Sequence, residues 1–158
     1  MRLRRSALAL LVSLGLVAAL AVPAVSAADM RAGVFRLHLT GDQEATPTCA
    51  PPELCGDPDA AGVMILIVNQ ARDTVCFQTR WWDIDGTVVA AHIHLAPAGS
   101  PGGVVVPLFA GAFDGTDMTR DCVSANGLAD DILANPANYY VNVHSTVYPP
   151  GAIRAQLG

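Results

Sequence analysis

The sequence contains no lysine and only two glutamates among its 158 residues. Its nine basic residues are all arginine, and the 14 acidic residues leave a formal net charge of −5. An acidic chain with no basic cluster argues against nucleic acid and anionic membrane surfaces as partners. The missing lysine also excludes a phosphate-binding glycine-rich loop that ends in lysine. Two glutamates leave little for hydrolysis by paired carboxylates.

Other catalytic signatures are absent as well. There is no Gly-x-Ser-x-Gly nucleophile motif and no legible serine–histidine–acid set. We therefore predict no catalytic residue, and the sequence favours a non-enzymatic protein.

The N-terminus has the features of a secretory signal peptide. Three arginines among the first five residues are followed by an apolar run, residues 7–22, that is short and alanine-rich for a membrane span. Small residues at 25–27 then provide a cleavage site. We expect residues 1–27 to be removed and one domain, residues 28–158, to remain outside the cell or in its envelope, without contact to the membrane. The alternative is an uncleaved N-terminal anchor.

The four cysteines all follow the predicted cleavage site, and none shows Cys-x2-Cys spacing. In an exported protein, an even number of cysteines indicates disulfides rather than metal ligands. Three pairings are open. We favour Cys49–Cys55, which closes a proline-rich loop, together with Cys76–Cys122, which joins a central strand to a later segment.

Short apolar stretches between glycine- and proline-rich turns indicate β-strands. In residues 34–40 (VFRLHLT), three apolar side chains share one face and His38 lies on the opposite, solvated face. The other predicted strands are residues 62–69, 74–82, 88–95, 104–109, 139–145 and 151–157. In residues 124–135 the apolar residues are spaced as in a helix, so a short helix is predicted there. We predict an all-β fold, an antiparallel Greek-key β-sandwich or barrel of about seven to eight strands with one short helix.

Three histidines lie on two of these strands with matching parity. His92 and His94 are one residue apart, so they project from the same side of their strand. His144 shares its parity with Tyr140 and Asn142. Three neutral imidazoles on adjacent strands suit copper or zinc, with a fourth position left for water. The alternative is a structural role, in which the imidazoles hydrogen-bond to loop backbone or to one another.

Several ordered motifs resemble the CHRD domain, a module first described as a repeat in chordin. They are AHIH followed by a Pro/Gly loop and VVVPL, then YYVNVHS, and finally GAIRAQL. The opening LTGDQEATP is similar to the family's first motif, although the family has Val-Pro-Pro where this chain has Ala45-Thr46-Pro47. The resemblance covers residues 35–157. It implies a secreted β-sandwich module, found in bacteria as a lone domain, and supplies no reaction.

A second, weaker resemblance is to the copper–zinc superoxide dismutases. They too have a His-x-His strand, a later Val-x-His strand and a glycine-rich turn before an arginine near the C-terminus. The corresponding residues here are, in that order, His92, His94, His144 and Arg154. The dismutase zinc site needs further histidines and an aspartate in one long loop, and only His38 is left over. A bridging imidazolate with its own zinc is therefore excluded, and the resemblance is compatible with a copper-only site.

Arg154 has two interpretations. Beside the imidazoles it would support the metal ligands or attract an anion. As a partly buried arginine it would pair with a carboxylate. Glu44 is the expected partner, because both residues occupy motif positions of the CHRD pattern, and we predict a structural ion pair between Glu44 and Arg154.

Two further patterns concern side chains outside this cluster. Trp81 and Trp82 face opposite sides of their strand, so we expect at least one in the core and regard the other as a candidate surface anchor. Residues 57–59 (DPD) and 83–85 (DID) lack the ligand spacing of a calcium-binding loop. We interpret both as solvated turns.

The leading hypothesis is a secreted, non-catalytic CHRD-type binding module whose partner is an unknown extracellular protein or ligand. The alternative is a small copper- or zinc-binding protein with a site similar in geometry to that of superoxide dismutases. The first hypothesis needs no cofactor, whereas the second needs copper or zinc, so the metal content of the purified protein separates them.

Overall fold

The computed structural model describes residues 31–49 and 55–158. The predicted signal peptide lies outside these residues. Within them, eight strands form one antiparallel sheet, and the predicted all-β fold with one short α-helix is confirmed. The elements are β1 (Ala32–Thr40), β2 (Ala61–Asn69), β3 (Thr74–Trp82), β4 (Val88–Leu95), β5 (Gly103–Ala110), β6 (Met118–Ser124), α1 (Ala129–Ala134), β7 (Tyr139–Ser145) and β8 (Ile153–Gln156).

The strands follow the order β5-β4-β7-β8-β1-β2-β3-β6 across the sheet. Neighbours that are not consecutive, such as β4 with β7 and β3 with β6, arise from crossover connections of the Greek-key type. The first and last strands of this order, β5 and β6, also approach each other. The side-chain amide of Asn126 donates to the carbonyl of Val105 at 2.9 Å between the two edges. The sheet is therefore a nearly closed barrel.

The core fills the inside of this barrel, and strand alternation determines which side chains enter it. On β2, Met64, Leu66 and Val68 are buried, while the side chains between them face outward. The Trp81/Trp82 pair follows the same rule. Trp81 packs in the core, and Trp82 is exposed on the opposite face, as predicted.

Two elements differ from the sequence prediction. Residues 118–124 (MTRDCVS) form an eighth strand, β6, which carries no apolar alternation because it lies at an edge and is largely exposed. The predicted helix over residues 124–135 is shortened to α1. Asn126 and Gly127 have φ values of 56° and 80°, so the backbone there is left-handed and cannot continue a right-handed helix. No helix in the described part of the chain is long and apolar enough to cross a lipid bilayer.

Both favoured disulfides are present. Cys49 and Cys55 close the loop that follows β1, across a sequence separation of 6 residues. Cys76 and Cys122 occupy directly paired positions of β3 and β6 and are separated by 46 residues. The second disulfide therefore joins the edge strand β6 to the body of the sheet.

Seven of the eight strands divide the outer face of the sheet into two halves, and the edge strand β5 is counted in neither. In the open half, β1, β2, β3 and β6, outward side chains such as His38 and Ile65 are exposed. In the loop-covered half, β4, β7 and β8, outward side chains such as Asn142 and Arg154 are buried. Residues 96–102 and 146–152 lie over this half and hydrogen-bond to its outward side chains. The candidate site lies beneath these loops.

Candidate metal centre

The three predicted histidines meet on the outer face of the loop-covered half. His92 and His94 belong to β4, and His144 belongs to the adjacent strand β7. In the register of these strands His92 lies opposite Asn142, so His144 is its diagonal neighbour on the same face. One ring nitrogen from each histidine lies within 4.8 Å of the other two. The crossover that places β7 beside β4 thus brings the three imidazoles together.

Strand alternation in β4 accounts for the direction of both histidines. Ala91, which precedes His92, and Ile93, which lies between the two histidines, are fully buried in the core. The ladder between β4 and β5 shifts register on either side of these positions, between Ala91 and His92 and between Ile93 and His94. Such bulges change the direction of side chains and are common beside functional sites. The predicted parity is correct, and the bulges adjust it locally.

Two backbone carbonyls determine which imidazole nitrogens carry protons. His94 Nδ1 donates to the carbonyl of Gly102 at 2.9 Å. His144 Nδ1 donates to the carbonyl of Pro149, also at 2.9 Å. Because a carbonyl can only accept, both Nδ1 atoms are protonated and both Nε2 atoms keep a lone pair. His92 Nδ1 lies 2.9 Å from His144 Nε2 and donates to it.

These atoms fit a metal ion. Metal-binding histidines commonly donate their second ring N–H to a backbone carbonyl, as His94 and His144 do. His94 Nε2 is buried and has no hydrogen-bond partner, which costs free energy that coordination would recover. The candidate ligand atoms are therefore His92 Nδ1, His94 Nε2 and His144 Nε2. Around zinc, such nitrogens stand about 3.3–3.5 Å apart, so separations of up to 4.8 Å must shorten by more than about 1 Å, while the 2.9 Å between His92 Nδ1 and His144 Nε2 must lengthen.

The three imidazoles are neutral at neutral pH. Burial lowers the pKa of all three. For His92, the adjacent His144 and His94 lower it further, and the pKa falls to about 4. A neutral imidazole is the form that binds a metal, so coordination at neutral pH does not require these rings to lose a positive charge first.

The comparison with known families agrees with the motifs. The model of the CHRD domain family matches residues 35–157, which include every strand of the sheet except the first residues of β1. The chain belongs to the CHRD domain family. No curated protein and no solved structure matches the chain. All three histidines lie within the matched CHRD domain.

The predicted direct ion pair between Glu44 and Arg154 does not form in this CHRD domain. Both side chains are buried, and each affects the pKa of the other. Arg154 donates instead to the carbonyls of Ser100 and Pro97 and to the side-chain oxygen of Gln156, at 2.9, 3.1 and 3.1 Å. The guanidinium is therefore directed at the loop of residues 96–102, whose position the sequence pattern did not reveal.

Glu44 is buried without a hydrogen-bond partner for either carboxyl oxygen. Burial raises its pKa to about 8, although Arg154, the amide of Asn142 and the N–H of Ala45 are close enough to favour the ionised form. The carboxyl is thus mostly protonated at neutral pH. Gly151 packs directly against it, since a Cβ there would lie 2.3 Å from Glu44 Oε1. Glu44 therefore contributes a neutral polar group beside the site.

Three residues of the site were not assigned a role from the sequence. Tyr140 stacks on His94, with ring centroids 4.7 Å apart and planes at 7°. Asn142, whose side-chain oxygen is buried without a partner, lies near both His94 and Glu44 and influences the pKa of each. Gly102 accepts from His94. The parity that Tyr140 and Asn142 share with His144 was the available signal, whereas nothing marked Gly102.

The remaining predictions have mixed outcomes. His38 is exposed on the open half, as predicted. Asp57, by contrast, is fully buried and is not part of a solvated turn. Its Oδ2 accepts from the N–H of Asp85 at 2.7 Å, and its own N–H donates to the carbonyl of Ala152 at 2.8 Å. Burial raises the pKa of Asp57. This aspartate ties two loops to the start of β8.

Proposed function

We propose that this CHRD domain binds one copper or zinc ion through His92, His94 and His144. The observation that carries the proposal is the convergence of three neutral imidazoles, two of which present Nε2 because backbone carbonyls accept from Nδ1. Three protein ligands leave one coordination position open. In zinc proteins this arrangement is typical of sites that bind water or an exchangeable ligand rather than of closed structural sites.

His92 is the ligand that must change its protonation on binding. Its Nδ1 donates to His144 Nε2 in the metal-free protein, so the ring must change tautomer, losing the proton from Nδ1 and gaining one from solvent on Nε2, before Nδ1 can coordinate. His92 is only half-buried, whereas His94 and His144 are buried. The ring that solvent reaches is therefore the one that exchanges its proton.

The donor set favours copper over zinc when both are offered. Imidazole nitrogens bind both metals, and the affinity of such sites for divalent ions rises to a maximum at Cu(II). We expect Cu(II) to displace Zn(II) from the same three ligands. An open position on a copper ion also permits redox chemistry with a small molecule. Measured superoxide consumption by the copper-loaded protein would separate a redox site from a metal carrier.

Titration of the metal-free protein with Cu(II) and Zn(II) tests the proposal. We expect one ion per chain and a rise in melting temperature, since a ligand at 100 times its Kd stabilises the folded state by about 2.7 kcal/mol. His94→Ala should abolish the rise, and affinity should weaken as the pH falls because the ligands must be deprotonated. His38→Ala, an exposed histidine on the open half, is the matched control. Absence of binding, or equal binding by both variants, contradicts the proposal.

A second candidate function, an interaction module for an extracellular protein, is favoured by the outer face of the open half. Apolar side chains on it are 41–52% exposed, and a soluble protein rarely leaves so many together. They are Val34, Val63, Ile65, Ile67 and Met118. Sedimentation velocity of the wild type and of Ile65→Arg over a range of concentrations tests whether the partner is a second copy. Self-association that Ile65→Arg removes would identify this face as an interface.

A further inference from the structure

We propose that Arg154 and Tyr140 are positioning residues for His94, acting through the loop of residues 96–102. The inference rests on the proposed metal binding and deepens it. It assigns to the buried arginine the task of fixing one metal ligand in a single tautomer rather than of attracting an anion.

The first observation is a continuous stack of planar groups. The guanidinium carbon of Arg154 lies 3.4 Å from the centroid of the Tyr140 ring. The same ring lies parallel to the imidazole of His94, with centroids 4.7 Å apart. Tyr140 is directly opposite His94 in the ladder between β7 and β4, which places the two rings side by side. A cation over an aromatic face is attractive, so Arg154 stabilises the position of Tyr140.

The second observation is that both residues also hold the loop. Arg154 donates to the carbonyls of Pro97 and Ser100 within it. The hydroxyl of Tyr140 accepts from the N–H of Gly102 at 3.1 Å. One arginine and one tyrosine therefore attach three residues of the loop to the sheet.

The loop contacts the proposed metal ligand His94 through the backbone of Gly102. The carbonyl of Gly102 accepts from His94 Nδ1, and this bond fixes the proton on Nδ1 and leaves the lone pair on Nε2. If the loop moved, Nδ1 would lose its acceptor and either tautomer would be available. Arg154 and Tyr140 thus determine, through Gly102, which nitrogen of His94 faces the site.

The burial of Arg154 supports this role over an anion-attracting one. The side chain is 1% exposed, and both terminal nitrogens already donate to oxygen atoms of the protein. The planar guanidinium of arginine can donate to several carbonyls while it lies on an aromatic ring. The ammonium group of lysine supplies the same charge but cannot do both. Arg154→Lys therefore separates the two roles.

Two adjacent glycines provide a matched pair for the experiment. A Cβ at Gly102 would lie 2.2 Å from the carbonyl oxygen of Leu95, so Gly102→Ala must displace the loop. A Cβ at Gly103 would meet nothing within 4 Å. The two substitutions add the same methyl group, and only the first should move the carbonyl that accepts from His94.

The tautomer is read from the ring ¹⁵N chemical shifts of His94 in the metal-free protein, and Cu(II) affinity is measured by competition. We expect the Nδ1–H form in the wild type and in Gly103→Ala. In Gly102→Ala, Tyr140→Phe and Arg154→Lys we expect a mixture of tautomers and a loss of affinity of about 10- to 100-fold. Should Arg154→Lys fail to fold, Tyr140→Phe, which keeps the stacked ring, and Gly102→Ala carry the test.

The outcomes separate this inference from the proposed function. Wild-type tautomer and affinity in Gly102→Ala and Tyr140→Phe would overturn the positioning role while leaving metal binding intact. Wild-type behaviour of Arg154→Lys would overturn it for the arginine. An altered tautomer in the variants of a protein that binds neither Cu(II) nor Zn(II) would support the positioning role and contradict the proposed function.

Discussion

The loop-covered half and the open half of the sheet have similar inner faces and different outer faces. Inside, both contribute fully buried side chains to one core, such as Val141 from β7 and Leu66 from β2. Outside, the open half exposes apolar side chains such as Ile65, while the loop-covered half buries polar and charged ones such as Asn142 and Arg154. The inner faces therefore follow the usual pattern, in which apolar side chains are buried. The outer faces depart from it, because one half exposes apolar side chains and the other buries polar ones.

This difference indicates that a functional site is expected on the loop-covered half. Buried polar groups cost free energy unless they are paired. Four of the five partnerless side-chain atoms among the described residues belong to His94 and Asn142 on the loop-covered half and to Glu44, which packs against Gly151 of a covering loop. A structural purpose alone would not require such atoms to lie together. The proposed metal ion at the three imidazoles would give His94 its missing partner.

Removing an arginine from each outer face should show the largest difference between the two halves. Arg154→Ala should destabilise the protein by about 3 kcal/mol or more, because the carbonyls of Pro97 and Ser100 lose a charged donor and the space of a fully buried side chain is left empty. Arg36→Ala, at an exposed outward position of β1, should change stability by no more than about 0.5 kcal/mol. Urea unfolding measures both. Similar costs for the two variants would show that the loops do not bury the outer face as described.

Two valines, one on an inner face and one on an outer face, test which side chains belong to the core. Val141 is fully buried, so Val141→Ala should cost about 2 kcal/mol through lost burial and a residual cavity. Val63 is 44% exposed on the outer face of the open half, and Val63→Ala should cost no more than about 0.5 kcal/mol. The midpoints of thermal unfolding report the difference. An unchanged midpoint for Val141→Ala would mean that β7 presents its other face to the core.

The smallest expected effect concerns pH and sharpens the account of the loop-covered half. The pKa of Glu44 is about 8 in the folded protein and near its ordinary value of 4.5 when unfolded. The folded state therefore keeps a proton that the unfolded chain has lost, and stability falls as the pH rises toward 8. Below about 6.5 the histidines oppose this trend, because their lowered pKa values make stability rise with pH there.

The window from pH 6.5 to 8 therefore excludes the histidines and includes Glu44. We expect the free energy of unfolding to fall there by about 1 kcal/mol per pH unit in the wild type and to fall less steeply in Glu44→Gln, whose side chain is neutral at every pH. Denaturant unfolding at intervals of half a pH unit measures both slopes. Parallel slopes in the two proteins would show that Glu44 is ionised in the folded state.

The parts of this structure that could be predicted from the sequence are those that depend on neighbours along the chain. Alternation placed His92 and His94 on one side of β4 and separated Trp81 from Trp82. The period of two residues in a strand is a local property, and it needs no knowledge of the partner strand. Turn composition likewise indicated where most strands end.

What could not be predicted depends on contacts between distant segments. The ion pair expected for Arg154 failed because the direction of a long side chain is decided by acceptors in the loop of residues 96–102. β6 was missed because an exposed edge strand needs no apolar alternation. The burial of Asp57 depends on Asp85, whose N–H lies 28 residues further along the chain. None of these contacts leaves a periodic signal.

We propose that the metal binds to the loop-covered half and not to the open half. Crystals of protein loaded with Cu(II) or Zn(II), measured at the absorption edge of that metal, test it most directly. The account predicts one anomalous peak at about 2.0–2.1 Å from His92 Nδ1, His94 Nε2 and His144 Nε2. A peak at the exposed His38 instead, or no peak at the three imidazoles in crystals exposed to excess metal, would contradict it.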